Sequence, residues 1–206
     1  MEQVATPEGY ARNPELVINF YNERRKQLLD VVPNAGHLGV ADLERDFNVT
    51  VVTQNVDNLH ERAGSTHVIH LHGELTKVCS SRDPYNPHFV KELAPEEYEV
   101  KLGDKAGDGT QLRPFIVWFG ESVPEIETAI RYVEQADIFV IIGTSLNVYP
   151  AAGLLNYVPR AAEVYLIDPK PVDTHVMRPI HVIQKGASEG VKELKALLTA
   201  TQPPLP

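Results

Sequence analysis

Apolar residues recur along the chain with two spacings, one typical of helices and one typical of strands. Asn13 or Pro14 can begin a helix that runs to about Asp30, with apolar side chains on one face and charged ones on the other. Asn34 can cap a second helix, which ends near Asp46. The same spacing predicts further helices at 124–136, near 150–157 and at 188–199.

Short β-branched runs between these helices predict strands. They are VTVVT (49–53), HVIHL (67–71), FIVWF (115–119), IFVIIG (138–143), EVYLID (163–168) and HVIQ (181–184). Strands that alternate with helices favour a parallel sheet, so the predicted fold class is α/β with a doubly wound, Rossmann-like sheet. The stretch 76–113 differs, because it holds the turn-forming clusters DPYNP, APEE and KAGDG. It predicts a loop-rich insertion.

The length of the chain limits the number of domains. Its 206 residues, of which 43% are hydrophobic, suffice for one sizeable core or for one domain with a small appendage. We expect a Rossmann-like domain made of 37–75 and 114–200. A small domain is expected to combine the helical segment 1–36 with the insertion 76–113.

The charge of the chain narrows its possible partners. A formal net charge of −9 and a pI near 5.3 would repel a phosphate backbone, which disfavours nucleic-acid binding by a basic surface. No apolar run reaches the roughly 20 residues that cross a bilayer, and the first residues lack the pattern of a secretory signal. We therefore expect a cytoplasmic protein that binds neither nucleic acid nor membrane.

Short polar residues and glycines follow nearly every predicted strand. QNVDN and HGE come directly after one of them, and FGE, GTS and DP begin at the last residue of one. Any one of these could be only a turn or a helix cap. In a doubly wound sheet, however, ligands bind beyond the carboxyl ends of the strands, where such loops converge. Their recurrence therefore predicts one shared pocket.

The stretches TQNVDNLHERAG, HLHGEL, FGE and GTSLNVYPAAG resemble, in this order, the core signatures of the sirtuins. Sirtuins are NAD-dependent protein-lysine deacylases, and the likeness is greatest to bacterial members. The resemblance implies that the amide oxygen of an acylated lysine attacks C1′ of the NAD ribose and releases nicotinamide. The acyl group of the protein substrate ends on 2′-O-acyl-ADP-ribose.

The resemblance assigns His72 as the general base that acts on the ribose hydroxyls. An imidazole suits this role because it titrates near neutral pH. His60, His67 and His70 lie close by in the sequence, and any of them could be structural. Only His72 comes at the end of its predicted strand and is followed by a glycine, Gly73, beside which a ligand has room.

The resemblance implies roles for three further groups of residues. The positions that match the nicotinamide and ribose contacts are Gln54, Asn55, Val56 and Asp57. Those that match the phosphate, ribose and adenine contacts are Gly143, Thr144, Ser145 and Ala187. In the family, two segments pair with the substrate peptide, which adds as a strand. The positions that match these segments are Phe119, Gly120 and Val148.

Tyr21 and Arg24 indicate a preference among acyl groups. They lie three residues apart, hence on one side of the predicted helix. The stretch FYNERR resembles a sirtuin branch in which a tyrosine and an arginine bind the carboxylate of succinyl- or malonyl-lysine. A guanidinium forms a fork to a carboxylate, and a phenol adds a donor. The alternative is a solvated, charged helix face.

The chain departs from the family pattern in its insertion. Family members usually hold zinc there with four cysteines, whereas 76–113 contains only Cys79. With His88 as a second ligand the set would still be short of the four that a structural zinc needs, so we expect no metal. The insertion would then depend on its own packing, through Tyr85, Phe89, Leu93 and Tyr98.

The second departure concerns the amino-terminal region. Sirtuins open with a strand and a glycine-rich GAGxSxxSG loop around the NAD pyrophosphate, and no stretch here matches it. We expect this chain to bind NAD weakly and to be of low activity. A non-catalytic module that binds NAD or ADP-ribose is the alternative function. A dehydrogenase is disfavoured, because no glycine-rich turn follows a predicted strand.

Overall fold

The computed structural model describes residues 3–144, 151–171 and 178–200. Its helices are α1 (Pro7–Arg12), α2 (Pro14–Asp30), α3 (Ala35–Asp42), α4 (Leu59–Ala63), α5 (Ile126–Val133) and α6 (Ala187–Ala200), with 3-10 turns at Leu43–Arg45, Pro87–Phe89, Pro95–Glu97 and Ala151–Tyr157. Its strands are β1 (Val51–Thr53), β2 (Val68–His70), β3 (Gly73–Ser80), β4 (Lys91–Glu92), β5 (Leu112–Ile116), β6 (Ile138–Ile142), β7 (Glu163–Ile167) and β8 (His181–Ile183).

The chain forms two compact units, each assembled from separate segments. The first unit contains residues 1–32, 53–58 and 70–125. The second contains 33–52, 59–69 and 126–206. The bounds of the Rossmann-like and small domains given above stay a prediction.

The first unit is built on an antiparallel sheet, in the order β4-β3-β5. Two expectations were wrong here. Strand β3 occupies the beginning of the stretch that was expected to form loops, and the predicted strand 115–119 lies at 112–116 and runs antiparallel to β3. The register of β3 against β5 shifts between Gly73 and Val78. Such a bulge breaks the alternation of apolar and polar residues from which a strand is recognised.

Helix α2 packs on this sheet and begins where its sequence predicts. The side chain of Asn13 accepts a hydrogen bond from the Leu16 N–H, and a proline occupies the first helical position. Ile18 on its buried face contacts Val78 of β3 and Val100. Leu93 packs against the same cluster, as expected for the insertion.

Buried polar side chains of α2 hold the insertion in place. The Asn22 amide donates to the Val100 carbonyl and accepts from the Val100 N–H, at 2.8 and 2.9 Å. Arg25 donates to the Tyr98 carbonyl at 2.7 Å and to Asn22 Oδ1 at 2.6 Å. Burial lowers the pKa of Arg25 to about 10. Because buried polar groups are costly when unpaired, these bonds fix one path for residues 98–100.

A hydrogen-bonded cluster closes the insertion at the end of β3. Ser80 Oγ donates to Asp108 Oδ2 at 2.7 Å and accepts from the N–H groups of Arg82 and Asp83. Asp108 Oδ1 accepts from both the N–H and the hydroxyl of Thr110. We call Ser80, Asp108 and Thr110 the Ser80 cluster. It ties the turn that follows β3 to the turn that precedes β5.

The second unit contains a parallel sheet in the order β6-β7-β8, which fits the predicted α/β class. Its core is formed by buried apolar residues of this sheet and of the helices α3 and α6. Helices α3 and α6 lie close together because α3 carries glycines where they meet. A Cβ on Gly39 would lie 2.8 Å from Val191 Cγ1, and one on Gly36 would lie 3.2 Å from Ala187 Cβ. An ion pair between Asp42 and Lys195 joins the same two helices.

Strands β1 and β2 pair with each other. The N–H of Val51 donates to the His67 carbonyl, and the N–H of Leu71 donates to the Thr53 carbonyl. The two strands are parallel, since both partners advance together along the chain. The segments 54–58 and 71–73 therefore leave neighbouring strand ends. No helix within the described ranges is long and apolar enough to cross a membrane.

Candidate functional site

His72 lies between β2 and β3 with a half-buried side chain. Its Nδ1 is 3.1 Å from the Gln54 carbonyl oxygen. A carbonyl oxygen only accepts hydrogen bonds, so Nδ1 carries the proton of the neutral ring. The lone pair is then on Nε2, which makes this nitrogen the atom that can take a proton from a substrate.

Gly73 fixes the backbone beside His72. Its φ is +82°, and a Cβ at this position would lie 2.1 Å from the Phe115 carbonyl oxygen of β5. The His72 carbonyl accepts a hydrogen bond from the Val117 N–H at 2.9 Å. The requirement for glycine therefore comes from the close approach of β5, and the expected reason, room for a ligand, is not the one the structure gives.

Segment 54–58 follows β1 and is bonded to residues on either side of it. The Asn55 N–H donates to Thr53 Oγ1 at 3.0 Å, and the Leu75 N–H donates to the Val56 carbonyl at 2.7 Å. Asn58 Oδ1 is buried and has no hydrogen-bond partner among the described residues. An orphaned buried acceptor fits a ligand that brings its own donors, such as a carboxamide or a sugar hydroxyl. Asn58 ends the QNVDN stretch that was predicted to line the pocket, although the resemblance assigned it no contact of its own.

The turn after β5 carries Phe119 and Gly120. The Phe119 N–H donates to the Ala5 carbonyl at 3.0 Å, while its side chain is 65% exposed. Gly120 has a φ of +90°, and no atom within 4 Å would contact a Cβ there. Such an exposed turn is accessible to an extended peptide.

A buried ion pair anchors this turn. Arg113 of β5 binds Glu121 through two parallel bonds of 2.7 and 3.0 Å, and its guanidinium lies 3.5 Å from the centre of the Trp118 ring. Glu121 Oε2 also accepts from the Trp118 N–H at 2.8 Å. Arg113 and Trp118 were not predicted from the sequence, because an arginine and a glutamate eight positions apart across a strand end follow no spacing rule.

Tyr21 and Arg24 lie one turn apart on α2. Tyr21 is 6% exposed, and its Oη accepts a hydrogen bond from Trp118 Nε1 at 3.1 Å. Burial raises the pKa of Tyr21 above its usual value, so the phenol keeps its proton at neutral pH. Arg24 is exposed, lies 5.1 Å from the Phe20 ring centre and donates to Gln27 Oε1 at 3.1 Å.

The remaining predicted contacts with NAD belong to the second unit. Gly143 follows β6 with a φ of +61°, and its N–H donates to the Ile167 carbonyl, so the sheet uses this donor. Thr144 comes next, and Ala187 is the first residue of α6. Ser145 and Val148 lie outside the described residues.

Cys79, the single cysteine of the sequence, lies in the interior of the first unit. Its side chain is fully buried in β3, with Sγ 3.7 Å from the Pro114 carbonyl oxygen. Burial raises the pKa of the Cys79 thiol to about 12, whereas metals bind the thiolate. No group of three or more metal-binding side chains occurs in the part of the chain that the structure describes.

Comparison with known proteins gives a consistent result. A sequence profile of the Sir2 family matches residues 1–150. An NAD-dependent protein deacylase of Bacteroides thetaiotaomicron is 83% identical over 198 residues, which is 96% of this chain and 85% of the relative. An NAD-dependent protein deacylase of Helicobacter pylori is 47% identical over 192 residues, covering 93% and 81%.

Solved structures agree with the sequence relatives. The crystal structure of a complex between a Sir2 homologue and NAD has a TM-score of 0.81 to this chain at 37% identity, over 98% of this chain and 78% of that one. This likeness confirms the predicted fold class, and the profile match confirms the predicted family. The chain belongs to the Sir2 family.

Proposed function

We propose that this protein is an NAD-dependent deacylase that removes acyl groups from lysine side chains of proteins. The observation that carries the proposal is the geometry of His72, whose Nδ1 is bound to the Gln54 carbonyl so that Nε2 can act as a base. The names of the relatives support the reaction class. A cytoplasmic location is part of the proposal, since NAD and newly made proteins are both present there.

The residues around His72 suit NAD as the co-substrate. NAD supplies, at C1′ of its ribose, the carbon that accepts the lysine amide oxygen. Gln54, Asn55, Val56 and Asp57 are proposed to hold the nicotinamide and its ribose, next to the buried acceptor of Asn58. His72 Nε2 is proposed to remove a proton from a ribose hydroxyl, while the Gln54 carbonyl keeps the ring oriented.

Other roles follow the family pattern. Gly143, Thr144, Ser145 and Ala187 are proposed to contact the phosphate, ribose and adenine of NAD. The substrate peptide is proposed to add as an extended strand along Phe119 and Gly120, and Val148 is proposed to contact it as well. The exposure of the Phe119 side chain supports the first of these two contacts.

The test measures nicotinamide release from NAD in the presence of an acetyl-lysine peptide. His72→Asn is expected to lower the rate by about 10²–10⁴-fold, the usual contribution of a general base. His88→Asn is the matched control, since His88 is exposed in the same unit. A wild-type chain that binds NAD and releases no nicotinamide would identify the alternative, a non-catalytic NAD- or ADP-ribose-binding module. Equal activity of His72→Asn and wild type would disprove the role of His72.

We further propose that acidic acyl groups, succinyl and malonyl, are preferred over acetyl. Tyr21 offers a protonated phenol, and Arg24, three residues later in α2, offers an exposed guanidinium. Within the described residues Arg24 uses one of its five donors, in the bond to Gln27, so the guanidinium has donors left for a carboxylate.

Charge removal at two positions of α2 tests this preference. Arg24→Met is expected to reduce kcat/KM for a succinyl-lysine peptide at least tenfold and to leave that for an acetyl-lysine peptide within twofold. Lys26→Met removes the same charge from an exposed position two residues along and should leave both unchanged. Parallel losses on the two peptides would show that Arg24 does not contact the acyl carboxylate.

A further inference from the structure

We propose that Trp118 is a positioning residue for acyl-group selection: its indole N–H occupies an acceptor site of the Tyr21 hydroxyl and leaves the phenolic proton directed at the substrate carboxylate. The inference rests on the proposed preference for acidic acyl groups and adds a residue to it. Trp118 Nε1 donates to Tyr21 Oη at 3.1 Å, and this contact is buried.

The direction of this bond is fixed by chemistry. An indole N–H can only donate, so Tyr21 Oη must be the acceptor. The phenol keeps its own proton, and no acceptor for it is found within residues 3–144, 151–171 and 178–200. A hydroxyl that already accepts a bond is polarised and donates more strongly. The Tyr21 hydroxyl can therefore donate its proton to a ligand.

Trp118 can perform this role because its own position is fixed on several sides. The residue is 2% exposed. Arg113 covers one region of the ring at 3.5 Å, and the Tyr10 ring packs against it with centroids 5.2 Å apart. The Trp118 backbone N–H is bound to Glu121. A ring held at that many points keeps its N–H aimed at one place, which is the requirement for a supporting residue.

The arrangement also connects two parts of the proposed substrate site. Phe119, in the turn proposed to pair with the peptide, follows Trp118 directly in the chain. Tyr21 lies on α2, 97 residues earlier. Trp118 therefore connects the turn proposed to bind the peptide with the Tyr21 hydroxyl proposed to bind the acyl carboxylate. One side chain fixes the position of both.

The single tryptophan of the sequence permits a sharp test. Growth of a tryptophan auxotroph on β-(3-benzothienyl)alanine replaces Trp118 by a ring of almost the same shape that has sulfur in place of the N–H. Affinity for fluorescently labelled succinyl-lysine and acetyl-lysine peptides is then measured by anisotropy, which does not depend on turnover. Trp118→Phe serves as a second replacement, and Tyr10→Phe, which removes the buried and unpartnered hydroxyl of a neighbouring ring, is the control.

The expected result is selective. Loss of the indole N–H should weaken binding of the succinyl peptide about 5- to 10-fold, the usual effect of one hydrogen bond, and change binding of the acetyl peptide less than twofold. In a Tyr21→Phe background the same replacement should not weaken binding of the succinyl peptide further, because the hydroxyl through which the indole N–H acts has been removed. Tyr10→Phe should bind both peptides like the wild type.

Three outcomes would overturn the inference. Equal weakening of both peptides would show a role for Trp118 in the fold alone. Full additivity with Tyr21→Phe would show that Trp118 acts without Tyr21. Unchanged binding by Tyr21→Phe would exclude Tyr21 from the acyl site and remove the inference with it, whereas nicotinamide release with the acetyl peptide would still establish the deacylase.

Discussion

Replacement of Gly73 by alanine tests whether the backbone next to His72 is held by the close approach of β5. Two effects oppose a side chain at this position. Its φ of +82° lies in the region that side chains avoid, and the added Cβ would lie 2.1 Å from the Phe115 carbonyl oxygen, where real Cβ contacts are longer than 3.0 Å. Gly109 has a similar φ of +78° and no atom within 4 Å of an added methyl group, so it isolates the first effect.

The difference between the two variants can be calculated to an order of magnitude. Positive φ costs an alanine about 1–2 kcal/mol at either position. At Gly73 the contact is with backbone in a paired strand, so β5 must move by about 1 Å and weaken ladder bonds worth roughly 0.5–1.5 kcal/mol each. The bond from the Val117 N–H to the His72 carbonyl, one residue beyond each strand, would be weakened with them. We expect Gly73→Ala to lower the free energy of unfolding by about 3–5 kcal/mol and Gly109→Ala by about 1–2 kcal/mol.

Urea unfolding followed by tryptophan fluorescence provides the measurement. Trp118 is the single tryptophan, it is buried and it lies in the same unit as both glycines, so its emission reports the unfolding of that unit. Midpoints and slopes are compared at one pH, since a change in slope would indicate a different unfolded state. If Gly73→Ala and Gly109→Ala lower the free energy of unfolding by amounts within about 1 kcal/mol of each other, the contact with β5 is not the reason for the glycine at position 73.

Three further predictions concern the polar and sulfur groups of the first unit. Glu121→Ala leaves the buried Arg113 charge without its partner and is expected to lower the free energy of unfolding in urea by about 3–5 kcal/mol. The double variant Arg113→Met/Glu121→Met removes both charges, so its free energy of unfolding should fall by less than that of Glu121→Ala. Hydrogen bonds from Thr110 and Ser80 lower the pKa of Asp108 to about 2, below its unfolded value. Stability from the ionised form is therefore present above about pH 5 and lost between about pH 5 and pH 2, so the urea midpoints of wild type and Asp108→Asn should converge over that range; a constant gap would contradict the assignment. Cys79 should resist a thiol reagent at about pH 8 in the native protein and react at once in guanidinium chloride, and rapid native labelling would show that the thiol is accessible.

Much of the fold was predictable because its signals are local. The start of α2 follows from Asn13 and Pro14, and the parallel strands β6 and β7 follow from their apolar β-branched runs. The short helices α1 and α4 were missed, since five or six residues are too few to show a period. Strand β3 was missed because its register against β5 shifts, which hides the alternation.

The candidate site was predictable only as far as short motifs extend. His72 and the segment 54–57 are recognised from their residue types and order. The contacts that orient them are not, because each joins residues far apart in the chain. Trp118 and Tyr21 are 97 positions apart, and the reason for Gly73 lies in the carbonyl of Phe115. A single sequence contains no signal for such pairs.

The interleaving of the two units sets an order for folding during synthesis. The segments of the first unit seen here all precede residue 126, whereas α3 of the second unit packs on α6, which is synthesised much later. Asp42 and Lys195 are 153 residues apart, which corresponds to a delay of roughly 8–30 s at an elongation rate of about 5–20 residues per second. During this interval α3 exposes the glycine-lined surface on which α6 later packs. Until α6 has been synthesised, Val40 of α3 lacks the α6 side chains with which it shares the core of the second unit.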